Sequence, residues 1–139
     1  MASDYTFAKP DIALDEGIYA FLENFYRISD DPEGHDMYLQ QYTPDATVIL
    51  STHKVKGSEE IRNLRKGMWV KVAARKHKVH GVFAAAPGSS EIMLYGQVTQ
   101  QLRSGGEVVK DWAARGVLEK SAEDARWRFA FYQVYIQMD

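Results

Sequence analysis

The stretch RKHKVHGV, residues 75–82, sets two histidines three positions apart among three other basic side chains. Residues of these types can hold a metal ion, neutralise nucleic-acid phosphates, or move a proton through an imidazole. The local pattern decides between them. Val79, Gly81, Val82 and Phe83 favour a strand, in which successive side chains point to opposite faces. His77 and His80, an odd number apart, then cannot chelate one ion, and no metal site is expected. Lys76, Lys78 and His80 fall on one side, a solvated face rather than a nucleic-acid patch. His77, Val79 and Phe83 share the apolar side, so His77 is the imidazole directed inward. His80 takes its place if the register slips by one residue.

The rest of the composition narrows the setting. A chain of 139 residues, 45% hydrophobic and 26% charged, is read as one domain spanning 1–139 with a core of its own. A net charge of -2 gives no global field to draw in a polyanion. The chain has no cysteine, which removes disulfides and thiolate nucleophiles. MASDYTFAKPDIALDEG carries no basic region followed by an apolar one, and no run of about 18 apolar residues occurs. A soluble cytoplasmic protein, without a membrane or nucleic-acid partner, is the expectation.

The elements that must position His77 fall in a simple order. LDEGIYAFLENFYRI places Ile18, Phe21, Leu22, Phe25 and Tyr26 on one helical face, with Asp15 and Glu16 at its start. SDDPEG breaks that helix. HDMYLQQY reads as a short second helix and TPDATVILS as a strand. A third helix is expected over GSEEIRNLRKGMWVKVAAR, capped by Ser58 and striped by Ile61, Leu64, Met68 and Val72. Four alternating runs follow, separated by APGSS, RSGG and SAEDA. Helices first and an antiparallel meander second predict an α+β fold with the helices on one face of the sheet.

That order, with QQYTPDATVIL running from a short helix into a strand, KGSEEIRNL opening a helix and RWRF opening the last strand, resembles the NTF2-like superfamily. The resemblance is to its SnoaL-like, ketosteroid-isomerase-like and scytalone-dehydratase-like branch and covers about Leu14 to Gln137. It implies a cone of three N-terminal helices on a strongly curved, mainly antiparallel sheet, with a cavity between them. Dehydratases of this kind carry a histidine on the strand after the third helix, which His77 matches. An ungapped match to the isomerase pattern sets Tyr26 at its oxyanion-hole tyrosine. The same match puts Leu50 and Ala114 where that enzyme keeps its two working aspartates. Steroid isomerisation by that route is therefore not expected, whatever the fold.

Side-chain parity completes the expected pocket. Ile92, Leu94, Gly96 and Val98 share one face, as do Trp112, Ala114, Gly116 and Leu118, and on the last strand Ala130, Tyr132, Val134 and Ile136. Tyr132 is the second phenol of the site, and Arg65 and Trp69 stand at the cone mouth. Gly96, Ala114, Gly116 and Ala130 are read as leaving space for a cavity. Trp127, Phe129, Phe131, Tyr135, Met93 and Tyr95 fall on the outer face, an apolar patch that predicts a sheet-to-sheet homodimer.

Three functions compete. The first is a cofactor-independent isomerase, dehydratase or cyclase for a hydrophobic or aromatic small molecule, with His77 as base and Tyr26 and Tyr132 on developing negative charge. The others are a hydrophobic-ligand-binding protein without catalysis and a protein-interaction module. No carboxylate in the inward rows orients His77, the main objection to the first reading.

Overall fold

The computed structural model of the chain describes residues 5–7 and 14–137. Most of the N-terminal stretch read for targeting, and Met138 of the last run, lie outside them. Three helices, α1 (Glu16–Ser29), α2 (His35–Leu39) and α3 (Ser58–Met68), pack on one six-stranded sheet. Its strands are β1 (Tyr42–Leu50), β2 (His53–Lys56), β3 (Val72–Ala84), β4 (Glu91–Leu102), β5 (Glu107–Lys120) and β6 (Trp127–Ile136). They lie in the order β2-β1-β6-β5-β4-β3, antiparallel except where β1 runs parallel to β6. This is the α+β arrangement expected. No helix among the described residues is long and apolar enough to cross a membrane.

Helix α1 forms because its apolar residues recur at 3–4 spacing and its ends are satisfied. Asp15 caps the start, accepting the Gly17 N–H at 2.7 Å. Ile18, Phe21, Leu22, Phe25 and Tyr26 are all buried against the sheet. At the far end Arg65 of α3, itself buried, donates to the carbonyls of Ile28, Ser29 and Asp31. A cation on the last carbonyls of a helix answers both their unmet hydrogen bonds and the helix dipole.

Helix α3 is shorter than expected. It stops at Met68, and Val72 to Arg75 belong to β3. Ser58 is its first residue rather than its cap. Gly57, at φ +86°, occupies the cap position, and Glu60 reaches back to the Lys56 N–H. The hairpin strand β2, within STHKVK, was not among the expected elements.

The inward rows of β4 and β5 are as parity predicts: Ile92, Leu94 and Val98, and Trp112, Ala114 and Leu118, are buried. Two β-bulges overturn parity elsewhere. In β3, Val79 pairs with Gly96 and Gly81 with Tyr95, so His80 is an extra residue. Val82 therefore turns inward, and Phe83, expected inside, is outside and exposed. In β6, Leu118 pairs with Phe129 and Val117 with Phe131, which makes Ala130 the extra residue. Phe129, expected on the outer face, is fully buried.

Two of the small residues read as leaving space are crowded by neighbours. A Cβ on Gly116 would lie 2.4 Å from the Phe129 ring, and one on Gly96 would lie 1.8 Å from the Lys78 carbonyl oxygen. Both glycines admit a neighbour; neither opens a cavity.

Candidate active site

A cavity of about 380 Å³ lies between the helices and the sheet, bounded by α3, the β1–β2 turn and strands β3 to β6. Its wall is mostly aliphatic, from residues such as Val48, Leu64, Val98 and Val134. The polar groups are few: His77, Arg75, Arg65, Tyr38, Tyr132, Gln100 and the hydroxyls and imidazole of Ser29 and the Ser51–His53 turn. A mostly apolar pocket with a few fixed polar groups is the usual form of a small-molecule site.

His77 has the carboxylate partner that the strand rows lack. Asp30, the residue that ends α1, approaches His77 Nδ1 with Oδ1 at 2.6 Å and accepts the His77 backbone N–H on Oδ2 at 2.8 Å. Tyr5 donates its hydroxyl to the same Oδ2 at 2.7 Å. An ionised carboxylate only accepts, so a neutral ring facing it carries its proton on Nδ1 and keeps its lone pair on Nε2. The Asp30 side chain is 4% exposed and the His77 side chain 17%. The carboxylate is locked behind the ring, and the ring retains an open edge. This dyad can take a proton at Nε2 while Asp30 stabilises the imidazolium that results.

Two phenols stand beside it. Tyr26 Oη and Tyr132 Oη lie 2.9 Å apart, and the Tyr26 ring is 5.1 Å from the His77 ring. Burial pushes both phenols well above the ordinary tyrosine value, so both keep their protons. Such a pair cannot act as a base near neutrality. It holds two protons and spends one on itself. Because Tyr132 lines the cavity and Tyr26 lies behind it, a Tyr26 proton given to Tyr132 leaves the Tyr132 O–H free for an oxygen inside.

The remaining candidates divide. Leu50, Arg65, Trp112 and Val134 line the cavity with His77 and Tyr132. Arg65 spends its guanidinium on the end of α1 and on His35 Nδ1, at 2.9 Å, so it shapes the site from behind. Trp69 and Ala114 are buried but do not line the cavity. His80 is exposed on the opposite face of the sheet, 5.9 Å from the Tyr95 ring, the side it shares with Lys76 and Lys78. It is excluded from the site, and the separation of His77 from His80 across the sheet rules out their sharing an ion. Among the described residues no cluster of three metal-ligating side chains occurs.

Sequence reasoning missed Asp30 and Arg75. Asp30 lies in SDDPEG, where it reads only as a helix breaker, 47 residues from His77. The one available signal was an acidic residue at a helix end in a fold whose first helix packs over the strand of the histidine. Arg75 has the parity of His77 and was absorbed into the basic run.

No protein-family model and no curated protein matches the sequence. Solved structures do. Nuclear transport factor 2 from Cryptosporidium parvum superposes with a TM-score of 0.67 at 12% identity, over 85% of this chain and 90% of that one. The fold is that of the NTF2-like proteins. A Novosphingobium aromaticivorans protein provisionally named a scytalone dehydratase gives a TM-score of 0.73 at 10% identity, over 88% and 83% of the two chains. A Jannaschia protein provisionally named a SnoaL-like polyketide cyclase gives 0.69 at 13%, over 94% and 90%. At these identities the NTF2-like scaffold is shared, and chemistry must be argued from the site.

Proposed function

We propose that the chain is a cofactor-independent enzyme that abstracts a proton from carbon next to a carbonyl, as an isomerase, dehydratase or cyclase of a hydrophobic or aromatic substrate. The observation that carries this reading is the His77–Asp30 dyad, in which Nδ1 is engaged by the carboxylate and the histidine lines a mainly aliphatic cavity. The C–H proton passes to Nε2, and the electron pair moves onto the carbonyl oxygen as an enolate that accepts from Tyr132. Return of the proton at another carbon is isomerisation. Loss of a β-hydroxyl, protonated by the imidazolium, is dehydration. Attack of the enolate carbon on a second carbonyl is cyclisation. A wholly aliphatic cavity would favour a ligand-binding protein, and a filled interior an interaction module; neither description fits these walls.

The test uses β-tetralone, a bicyclic ketone with acidic C–H groups, in deuterium oxide, with exchange followed by proton NMR. Wild-type protein should accelerate exchange, and His77→Gln should lose about 10²–10⁴ of that rate. Asp30→Asn should lose a similar factor, because an amide donor facing Nδ1 moves the ring proton to Nε2. Ketones that bind equally well to wild type and His77→Gln and exchange no faster with either would replace the enzyme by the binding protein.

A two-fold dimer through the outer sheet face belongs to the same proposal. Met93, Tyr95 and Tyr135 are 40%, 47% and 49% exposed there, close enough across neighbouring strands to form one patch. Tyr95→Glu should shift the sedimentation coefficient from dimer to monomer; a wild-type monomer at high concentration would remove this part.

A further inference from the structure

A second feature of the cavity says what its ligand carries. Arg75 is buried, with 8% of its surface exposed, and lines the cavity two residues before His77 on the same face of β3. Its guanidinium is held from behind: Nη2 donates to the Met68 carbonyl at 2.8 Å, and the Trp69 ring lies 4.7 Å beneath it. Nη1 has no partner. Among the described residues no carboxylate forms an ion pair with Arg75, and the nearby Asp30 is committed to His77 and Tyr5. Asp30 lends Arg75 only a through-space attraction, and a buried guanidinium with unspent hydrogens and no directly paired carboxylate is costly to fold around. A ligand that brings the counter-charge removes that cost.

A second donor stands in the same wall. Trp112 Nε1 is buried and unpartnered, and its ring is 5.6 Å from the His77 ring. The indole nitrogens of Trp69 and Trp127 are also unpartnered, but neither residue lines the cavity, so an orphan indole alone is not the argument. What sets Arg75 apart is a fixed cation that lines the cavity with one nitrogen buried and unpartnered, in a wall that is mostly hydrocarbon. Gln100, directly opposite Arg75 across the β3–β4 ladder, lines the cavity beside it.

The geometry points to a carboxylate-binding subsite formed by Arg75 and Trp112, which makes the preferred ligand a compact aromatic or aliphatic keto acid rather than an uncharged ketone. This rests on the proposed function for the role of His77, but not for the anion site itself. The planar guanidinium matches a carboxylate. Arg75 and His77 are about 6–7 Å apart along the strand, so a ligand the size of one or two rings reaches both. The acid anchors at Arg75, and its reacting carbon lies at Nε2.

The experiment is calorimetric titration with naphthoate and with naphthamide, which share shape and differ in charge. Wild-type protein should bind naphthoate about ten- to a hundredfold more tightly, the range expected for one charge-assisted hydrogen-bonded contact. Arg75→Met should erase that preference while leaving naphthamide affinity within about threefold, and Arg75→Lys should retain part of it. His77→Gln should keep the full preference, so failure of the catalytic reading and failure of the anion site are separable. Should Arg75→Met not fold, the wild-type Arg75 side-chain NMR resonances provide the readout, moving with naphthoate and not with naphthamide. Equal wild-type affinity for the two probes, a preference that survives in Arg75→Met, or Arg75 resonances indifferent to naphthoate would overturn the proposal.

Discussion

The interior of this molecule has a filled end and a hollow end, and the two are built from different chemistry on the same sheet face. At the filled end Phe21, Phe25, Tyr42 and Phe129 meet ring to ring, with Phe25 and Phe129 centroids 5.0 Å apart and Phe21 and Phe129 centroids also at 5.0 Å. The polar atoms there answer one another: Tyr42 donates to Tyr38 at 2.7 Å. At the hollow end the polar atoms are held from behind and left open in front. Asp30 fixes Nδ1 of His77 and leaves Nε2; Met68 fixes Nη2 of Arg75 and leaves Nη1 buried without a partner. Tyr38 and Tyr132 stand at the boundary, lining the cavity while packing against Phe25 at 5.6 and 5.1 Å. The lesson is a division of labour. Aromatic edge and stacking contacts make one end rigid, and that rigidity lets the other keep unpaired donors in place.

The sharpest way to break the comparison is Phe129→Ala. It removes a fully buried ring from the filled end and should cost about 3–5 kcal/mol of unfolding free energy in a urea titration. Gly116→Ala attacks the same space from the opposite wall. Its new methyl meets the Phe129 ring, and a loss of about 1–3 kcal/mol is expected. Neither touches the dyad; Phe129 stacks on Tyr132 at 4.7 Å, so exchange per folded molecule should fall only modestly and far less than in His77→Gln. His77→Gln should do the reverse, since Asp30 keeps Tyr5 and a backbone N–H as donors. If Phe129→Ala cost less than Gly116→Ala, the filled end would be loosely packed and the division would fail.

The two ends were not equally legible in the sequence. Period-two alternation gave the buried rows of β4 and β5 correctly because those strands pair without interruption over the core. The same rule held as far as His80 and failed beyond it, at Val82 and Phe83, and again at Phe129 and Ala130. One extra residue in each strand shifts the alternation, and nothing in HGVF or FAFY announces a bulge. Ala130 and Phe129 exchanged places for that reason. The cavity was inferred from Gly96 and Gly116, yet backbone and Phe129 occupy the space beside them. It lies elsewhere on the sheet, where Val98 and Val134 line a space shared with Leu64 and Met68 of α3. Within the site, His77 followed from strand parity, but Asp30 did not. A residue that ends a helix is set by that helix's length and crossing, which no row of a strand encodes.

The smallest effect sharpens the seam between the ends. His35 accepts from Arg65 on Nδ1, and burial, then Arg65, Lys66 and Arg62, hold its proton affinity below the ordinary histidine value, with Glu33 opposing. A histidine that is harder to protonate in the folded chain destabilises it under acid. Its contribution is intact above the ordinary value of about 6.5 and is lost as pH falls from there toward the lowered folded value. Protonation also takes the acceptor away from Arg65, which holds the end of α1 and hence Asp30. Between pH 7.5 and 5.5 the wild-type Tm should therefore fall further than that of His35→Gln, whose amide oxygen accepts from Arg65 at either pH. The difference should be smaller than the shift from either packing variant, and parallel pH profiles for the two proteins would detach His35 from the wall that carries the dyad.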